Sequence, residues 1–540
     1  MNQTKPRCIT LEKTSLGIEF GSTRIKAVLI DEEFRSLATG SHDWENRMEN
    51  GMWTYSLDEI ITGLQECYRS LAQDVEQRYH IPLTTTGAIG ISAMMHGYMV
   101  FDKNGQLLVP FRTWRNTCTA QAAQELTELF RFNLPQRWSV THLFQAILNQ
   151  EMHVSRINFL TTLSGFIHWR LTGQRVLGIG DASGMFPVDY EKQNYRMDLM
   201  ELFHQRTRHL GHSIDLHALL PQILLAGQPA GVLTPAGAQM LDPSGRLQPG
   251  IPLCPPEGDA GTGMVFTNSV APHTGNVSAG TSIFSMVVLD HPLKKIHPEI
   301  DLTATPDGLP VAMVHCNNCT ADINAWVNIF QEFCNVMGLP SHKENIFSAL
   351  FKSAQNGDPD CGGLLSYNYL SGEHIVNLSS GCPLFLYGPD SRFTLPNFMR
   401  THLFTALTTL RIGMDILASE NVRIDRLSGH GGFFKTPGVG QLFLASALRV
   451  PVSILHNAGE GGAWGMALLA AFLVNRRDEN TLSAFLDQYI FPSMSDSILE
   501  PDPSCTAGFE RYLEQFLHGF PIERTAADTL SKISYQRVTM

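Results

Sequence analysis

Between Leu16 and Asp31 the apolar residues alternate. Leu16, Ile18 and Phe20 fall on one face of an extended segment, Gly21, Ser22 and Thr23 interrupt it, and Ile25, Ala27 and Leu29 resume it. A period of two is that of a half-buried strand, so the pattern predicts a β-hairpin with a small, hydroxyl-bearing turn. Leu57 to His80 then reads as a helix with Ser56 as N-cap and Glu59 three residues on, the arrangement of a capping box. Ala88 to Asp102 predicts strand, break and strand, with Met94, Met95, His96 and Gly97 at the break.

Roughly 260 residues after the first hairpin the same pattern returns over Asn276 to Leu289, broken at Gly280, Thr281 and Ser282. Two like units far apart predict a duplicated α/β architecture. Beyond the second hairpin, Asn397 to Glu420 carries Phe404, Leu407, Leu410 and Met414 at helical spacing. Arg423 to Leu427 predicts a strand running into Ser428-Gly429-His430-Gly431-Gly432, followed by a helix from Pro437 to Leu448 and a strand from Val450 to Leu455. Gly459, Gly461 and Gly462 precede a last apolar helix, Ala463 to Val474. Past Asn475 the chain turns polar, with a Pro/Ser/Asp-rich stretch from Phe491 to Cys505, which predicts a peripheral C-terminal extension.

Composition narrows this picture. A length of 540 residues exceeds what one core supports and predicts two large domains. A net charge of -12 with no basic run argues against a nucleic-acid partner. No apolar stretch reaches the ~20 residues that span a bilayer, and Met1 to Ser15 lacks the apolar region of a secretory signal. Ten dispersed cysteines fit reduced thiols, so the expected location is the cytoplasm, without membrane attachment. Cys316 and Cys319 have C-x-x-C spacing, but the segment runs on into an apolar helix (Ile323, Trp326, Val327, Phe330) and reads as structural thiols rather than a zinc site.

The chemistry concentrates at the breaks. Each hairpin turn can offer backbone N–H groups and hydroxyls to a chain of phosphates. In Gly258-Asp259-Ala260-Gly261 a carboxylate sits among glycines, where a substrate can come close; alone, this is ordinary turn chemistry.

Taken in order, Gly21-Ser22-Thr23, Met95-His96-Gly97, Gly258-Asp259-Ala260-Gly261, Gly280-Thr281-Ser282 and Gly431-Gly432 resemble the motifs of FGGY carbohydrate kinases over roughly Leu16 to Phe472. Ile91 to Asp102, Leu370-Ser371-Gly372-Glu373 and Gly180 to Asp189 look most like xylulokinase-type members. The resemblance implies an α/β fold of two duplicated ribonuclease-H-like domains, of the actin and sugar-kinase type, flanking a nucleotide cleft. Residues 14–268 would form the sugar side with the catalytic base, 269–476 the nucleotide side, and 477–540 an extension. The implied reaction is phosphorylation of a sugar hydroxyl by ATP with Mg²⁺, a ketopentose such as xylulose being the first expectation. Another ketose or polyol, or a non-catalytic sugar- or nucleotide-binding protein, is the alternative. Relatives also suggest a homodimer.

Residue by residue, the resemblance makes Asp259 the general base, and Met95 and His96 the sugar-contacting pair, with Trp114, Arg115 and Asn116 as further sugar contacts. Gly21, Ser22, Thr23 and Lys26 would hold the ATP phosphates, with Arg24 adding charge; Gly280 and Thr281 would meet the γ-phosphate side, and Gly431 and Gly432 the nucleotide. Where the family carries an aspartate before the first turn, this chain has Glu19, the candidate Mg²⁺ ligand. Phe433 and Phe434 replace the small residue expected after the glycine pair, and would line or narrow the adenine pocket. Ser379 to Pro383 departs from the xylulokinase pattern, and Asp181 reads as structural.

Overall fold

The computed structural model describes residues 9–340, 342–455, 461–476, 481–492 and 498–530. Gly459 and parts of the stretches before Ser15 and after Asn475 lie outside the described residues. The chain folds as two compact units, each built around its own sheet.

In the first unit, strands Ser15–Phe20 and Arg24–Ile30 form the expected hairpin, and Ser36–Asp43 extends it antiparallel. On the other side Ala88–Ala93 pairs parallel to the first strand, and Glu257–Gly258 pairs parallel to Ala88–Ala93. The helix Leu57–Tyr79 starts at the expected capping box and covers the hairpin side with Ile60, Leu64, Leu71 and Val75, all buried. The break after Ala93 does not make a second hairpin. Met99–Phe101 leaves the sheet and pairs with Phe159–Thr161 instead, so Met94 to Gly97 emerge at the end of a central strand.

The second unit repeats the order. Thr274–Ala279 and Ile283–Val288 form an antiparallel hairpin, with Pro310–Cys316 beside it on one side. Arg426–His430 and then Val452–Ile454 add on the other side, both parallel. Leu395–Ser419 is the long helix the apolar spacing predicts; it starts at a Thr394 cap and is buried along most of its length.

Two expectations from linear order are corrected. The helix Gly461–Asn475 packs in the first unit, not with the segments that precede it, because its small and apolar face lies on the first strand around Gly17. The C-terminal segment is no peripheral extension. Helix Pro503–Leu530 buries Phe509, Tyr512 and Phe516 in the second unit, against Phe404 (ring centroids 5.0 Å from Phe509) and Tyr367 (4.5 Å from Phe516). Its polar stretches misled the reading: the helix is amphipathic, and only its inner stripe is apolar.

Candidate active site

The parallel pairing of Glu257–Gly258 with Ser92–Ala93 brings two strand ends side by side. One continues into Met95; the other opens the helix Asp259–Phe266. Asp259 Oδ1 accepts the Met95 N–H at 3.1 Å, joining segments 164 residues apart. Gly258 makes this approach possible, since a Cβ there would stand 2.2 Å from Met95 Cγ. The Asp259 side chain keeps contact with solvent. Burial among the surrounding protein pulls its pKa upward, and three main-chain N–H groups oppose that pull.

His96 takes the left-handed conformation (φ 68°), which swings its ring into the protein against Trp138 (centroids 6.3 Å apart, interplanar angle 19°). Nδ1 lies 3.1 Å from the Gly184 carbonyl. A carbonyl only accepts, so Nδ1 carries the proton and Nε2 is left as an acceptor. Burial, with Arg137 and His142 nearby, lowers the imidazole pKa to about 3. The ring is neutral at any physiological pH.

Glu19 sits in the first strand, opposite Lys26 and beside Ser92. Its carboxylate accepts the Ala463 N–H at the start of helix Gly461–Asn475, and a Cβ on Gly462 would fall 2.2 Å from its Oε1. Burial first, and then the charge of Asp259, push its pKa up to about 7; Lys26 and the Ala463 N–H oppose. Two carboxylates that repel one another in a crowded setting are a donor set suited to a hard divalent cation. Among the described residues no group of three or more Asp, Glu, His or Cys side chains could hold a metal, so the remaining ligands of such an ion would be water and phosphate.

Both hairpin turns draw their carbonyls inward. In the first unit Trp44 Nε1 donates to Gly21 O (2.7 Å), Tyr55 OH to Ser22 O (2.6 Å) and the Trp44 N–H to Thr23 O (3.1 Å). In the second unit the Thr320 N–H and hydroxyl donate to Gly280 O (3.0 and 2.7 Å), and the Cys319 N–H donates to Thr281 O (2.9 Å). Carbonyls would repel an anion; with the Gly21 and Gly280 N–H groups also committed, to Arg24 O (3.0 Å) and Ser282 O (2.9 Å), each turn is left to present the N–H groups and hydroxyls of the residues after its glycine. The loop between Cys316 and Cys319, both buried free thiols, therefore holds a turn. Gly431 stands next to that turn with φ 104°, and a Cβ there would be 2.4 Å from Ala279 O, so only glycine fits.

The sequence matches two family domains that together span most of the chain: the FGGY carbohydrate kinase N-terminal domain over residues 14–265 and the C-terminal domain over residues 275–474. This protein belongs to the FGGY family of carbohydrate kinases. It is 22% identical to the xylulose kinase of Haemophilus influenzae over 84% of this chain and 90% of that one. It is 21% identical to the xylulose kinase of Lactococcus lactis over 97% and 98%. A crystal structure of gluconate kinase from Lactobacillus acidophilus superposes with a TM-score of 0.77 at 16% identity, covering 96% of this chain and 99% of that one. The two units are the duplicated ribonuclease-H-like domains of this family, and the chain is a phosphotransferase for which ATP is a substrate. No helix among the described residues is long and apolar enough to cross a membrane.

Several other residues singled out in this FGGY kinase have their side chains engaged by protein partners. Asn116 is buried with its amide committed: Nδ2 donates to Trp53 O (2.9 Å) and Thr113 O (3.0 Å), while Oδ1 accepts the Trp53 N–H (2.9 Å). It pins a loop and has no donor to spare for a sugar. Arg115 lies over the Trp53 ring at 4.0 Å, and Trp114 Nε1 reaches Ser22 Oγ at 3.4 Å, at the first turn. Phe433 and Phe434 are core residues; Phe433 packs on Phe351 and Phe434 lies beneath Gly429. Arg24 pairs with Asp43.

Two buried acids stand behind Asp259: Asp181, read from the sequence as structural, and Glu257, which sequence reasoning missed. Asp181 accepts from the Thr162 and Ser164 hydroxyls at 2.7 and 2.5 Å, while its Oδ1 has no partner. Burial raises its pKa to about 7, with Asp259 adding to the rise; Glu257 is raised to about 8 by burial and then by Asp181. A signal was present in Gly178 and Gly180, where a Cβ would fall 2.1 and 2.5 Å from the Glu257 oxygens. An acid with a raised native pKa binds its proton more tightly folded than unfolded, so its stabilisation is complete below the unfolded pKa and lost as pH rises through the native one. Relative to Asp181→Asn, whose amide nitrogen can take the unpartnered Oδ1 position, the wild type is expected to lose unfolding free energy as pH rises from about 4 to about 7. Buried histidines such as His142 act with the opposite sign, and they cancel in the difference. Urea unfolding of both proteins at four pH values measures it.

Proposed function

We propose that this kinase transfers the γ-phosphoryl group of ATP to a hydroxyl of a ketopentose such as xylulose, with Asp259 as the general base. The observation that carries the reading is the hydrogen bond from the Met95 N–H to Asp259, which joins the sugar-facing turn to a carboxylate that opens a helix at a strand end. Asp259 Oδ1 is held by the main chain. The other oxygen accepts the hydroxyl proton as that hydroxyl's oxygen bonds to phosphorus and ADP departs. His96 Nε2 accepts from a second sugar hydroxyl, in a tautomer set by Gly184, and Met95 gives an apolar wall to the sugar carbons.

The turn Gly21-Ser22-Thr23 and Lys26 take phosphate oxygens in the first unit. Gly280, Thr281, Gly431 and Gly432 supply the nucleotide contacts of the second. Glu19, with the charge of Asp259 nearby, would hold Mg²⁺, which when bound neutralises charge on the phosphates. Glu19 does so from an anchored position, because the Ala463 N–H already fixes its carboxylate.

The test is ADP release coupled to a spectrophotometric readout, across ketoses, aldoses and polyols. Sugar-stimulated turnover with a ketopentose, at kcat/KM at least tenfold above the other classes, is expected. A preference for an aldose or a polyol would replace the substrate and leave the base in place. No stimulation by any of them would end the reading.

A further inference from the structure

Glu257 is fully buried one residue before the Gly258–Asp259 step. Its oxygens accept three main-chain N–H groups: Gly180 on Oε1 at 3.2 Å, and Asp181 and Gly258 on Oε2 at 3.0 and 3.3 Å. The surroundings leave room for this carboxylate and for little else. A Cβ on Gly178 would stand 2.1 Å from Oε1, and one on Gly180 would stand 2.5 Å from Oε2.

Each of the three donors belongs to a segment that ends in the site. Gly180 and Asp181 lie in the short helix Ile179–Ala182, and the same turn runs on to Gly184, whose carbonyl accepts from His96 Nδ1. The turn is internally rigid: Ser183 Oγ donates to Gly180 O at 2.6 Å, and the Gly184 N–H donates to Asp181 O at 3.0 Å. Gly258 is the residue that makes space for Met95 and precedes Asp259. One carboxylate therefore bridges the element that orients His96 and the element that carries Asp259.

We infer that Glu257 is a positioning residue of this kinase, a buried strut that sets the separation between the sugar-facing imidazole of His96 and the carboxylate of Asp259. The roles of those two residues rest on the proposed function; the strut itself rests on the hydrogen bonds alone. Both oxygens face main-chain N–H donors, so both must accept, which a carboxyl group does with or without its proton. Glutamine has nearly the same shape, but its amide nitrogen would point N–H against N–H on one branch. The turn carrying Gly184 would then move relative to Asp259. Misplacement of a reacting group by about 1 Å costs on the order of 10²-fold in rate.

The experiment compares wild type with Glu257→Gln and Gly180→Ala. The second variant places a Cβ 2.5 Å from Oε2 and leaves the carboxyl group itself in place. Steady-state kinetics are joined to a crystal structure of each protein. Expected for a folded variant are a kcat reduced about 30- to 100-fold, a raised sugar KM, an ATP KM within twofold of wild type, and a changed His96–Asp259 separation. Wild-type kcat in either folded variant overturns the inference, as does an unchanged separation. Should Glu257→Gln fail to fold, Gly180→Ala decides by the same criteria. Should the wild type turn over no sugar at all, the proposed function fails, while the crystallographic separation still decides the strut.

Discussion

Asp259→Asn is expected to lower kcat about 10³-fold, within the roughly 10²–10⁴ that a positioned general base contributes. The KM values for sugar and ATP should change little. Asparagine keeps an oxygen that can accept the Met95 N–H, so the junction between strand end and sugar turn survives and only the proton acceptor is lost. An asparagine oxygen cannot hold the hydroxyl proton at neutral pH, so the barrier rises although the geometry does not change. Coupled ADP release at saturating sugar and ATP measures the loss, and calorimetric titration of the sugar shows that binding persists. Turnover within tenfold of wild type would remove Asp259 from the mechanism.

Gly17→Ala is expected to be strongly destabilising for a single-methyl change. Gly17 is buried in the first strand, and a Cβ there would lie 2.1 Å from Ala463 O and 2.3 Å from Ala467 N. Both neighbours are helix backbone, so no rotamer change relieves the contact, and the helix Gly461–Asn475 would have to lift from the sheet. Lifting it also withdraws the Ala463 N–H from Glu19 and strains the bond from Trp464 Nε1 to Phe34 O (3.1 Å). Overpacking of this kind costs about 3 kcal/mol, at the upper end for core insertions. Gly280→Ala, where a Cβ meets nothing within 4 Å, serves as the control and should leave the urea midpoint in place. Equal midpoints for the two variants would show that the helix does not lie on the strand.

Much of the site could be read along the chain because its parts sit at breaks in regular patterns. The hairpin at Gly21 and its counterpart at Gly280 both stand out as interruptions of strict alternation, and both fold as read. The Met95-His96-Gly97 break is equally visible, although the strand after it pairs elsewhere. Asn116 shows the limit of such reading. Its type suits a sugar ligand, yet its amide is consumed by Trp53 and Thr113, and a partner such as Trp53, brought from 63 residues away, leaves no mark on local sequence. Glu257 was passed over for the related reason that a single acid beside prolines and glycines has no periodicity.

By itself the sequence determined the local elements and the groups they present: two hairpins with small turns, a capped helix, and an aspartate among glycines. These follow from backbone sterics and from the alternation of apolar residues, which act over a few residues. Tertiary structure decided what those groups can do. It seated the helix Gly461–Asn475 under Glu19, turned the hairpin carbonyls inward, fixed the His96 tautomer through Gly184 and braced Asp259 against Met95. These contacts join segments from 21 residues apart (Thr23 and Trp44) to more than 400. Their energies depend on burial and close approach, quantities that exist only once the chain has packed.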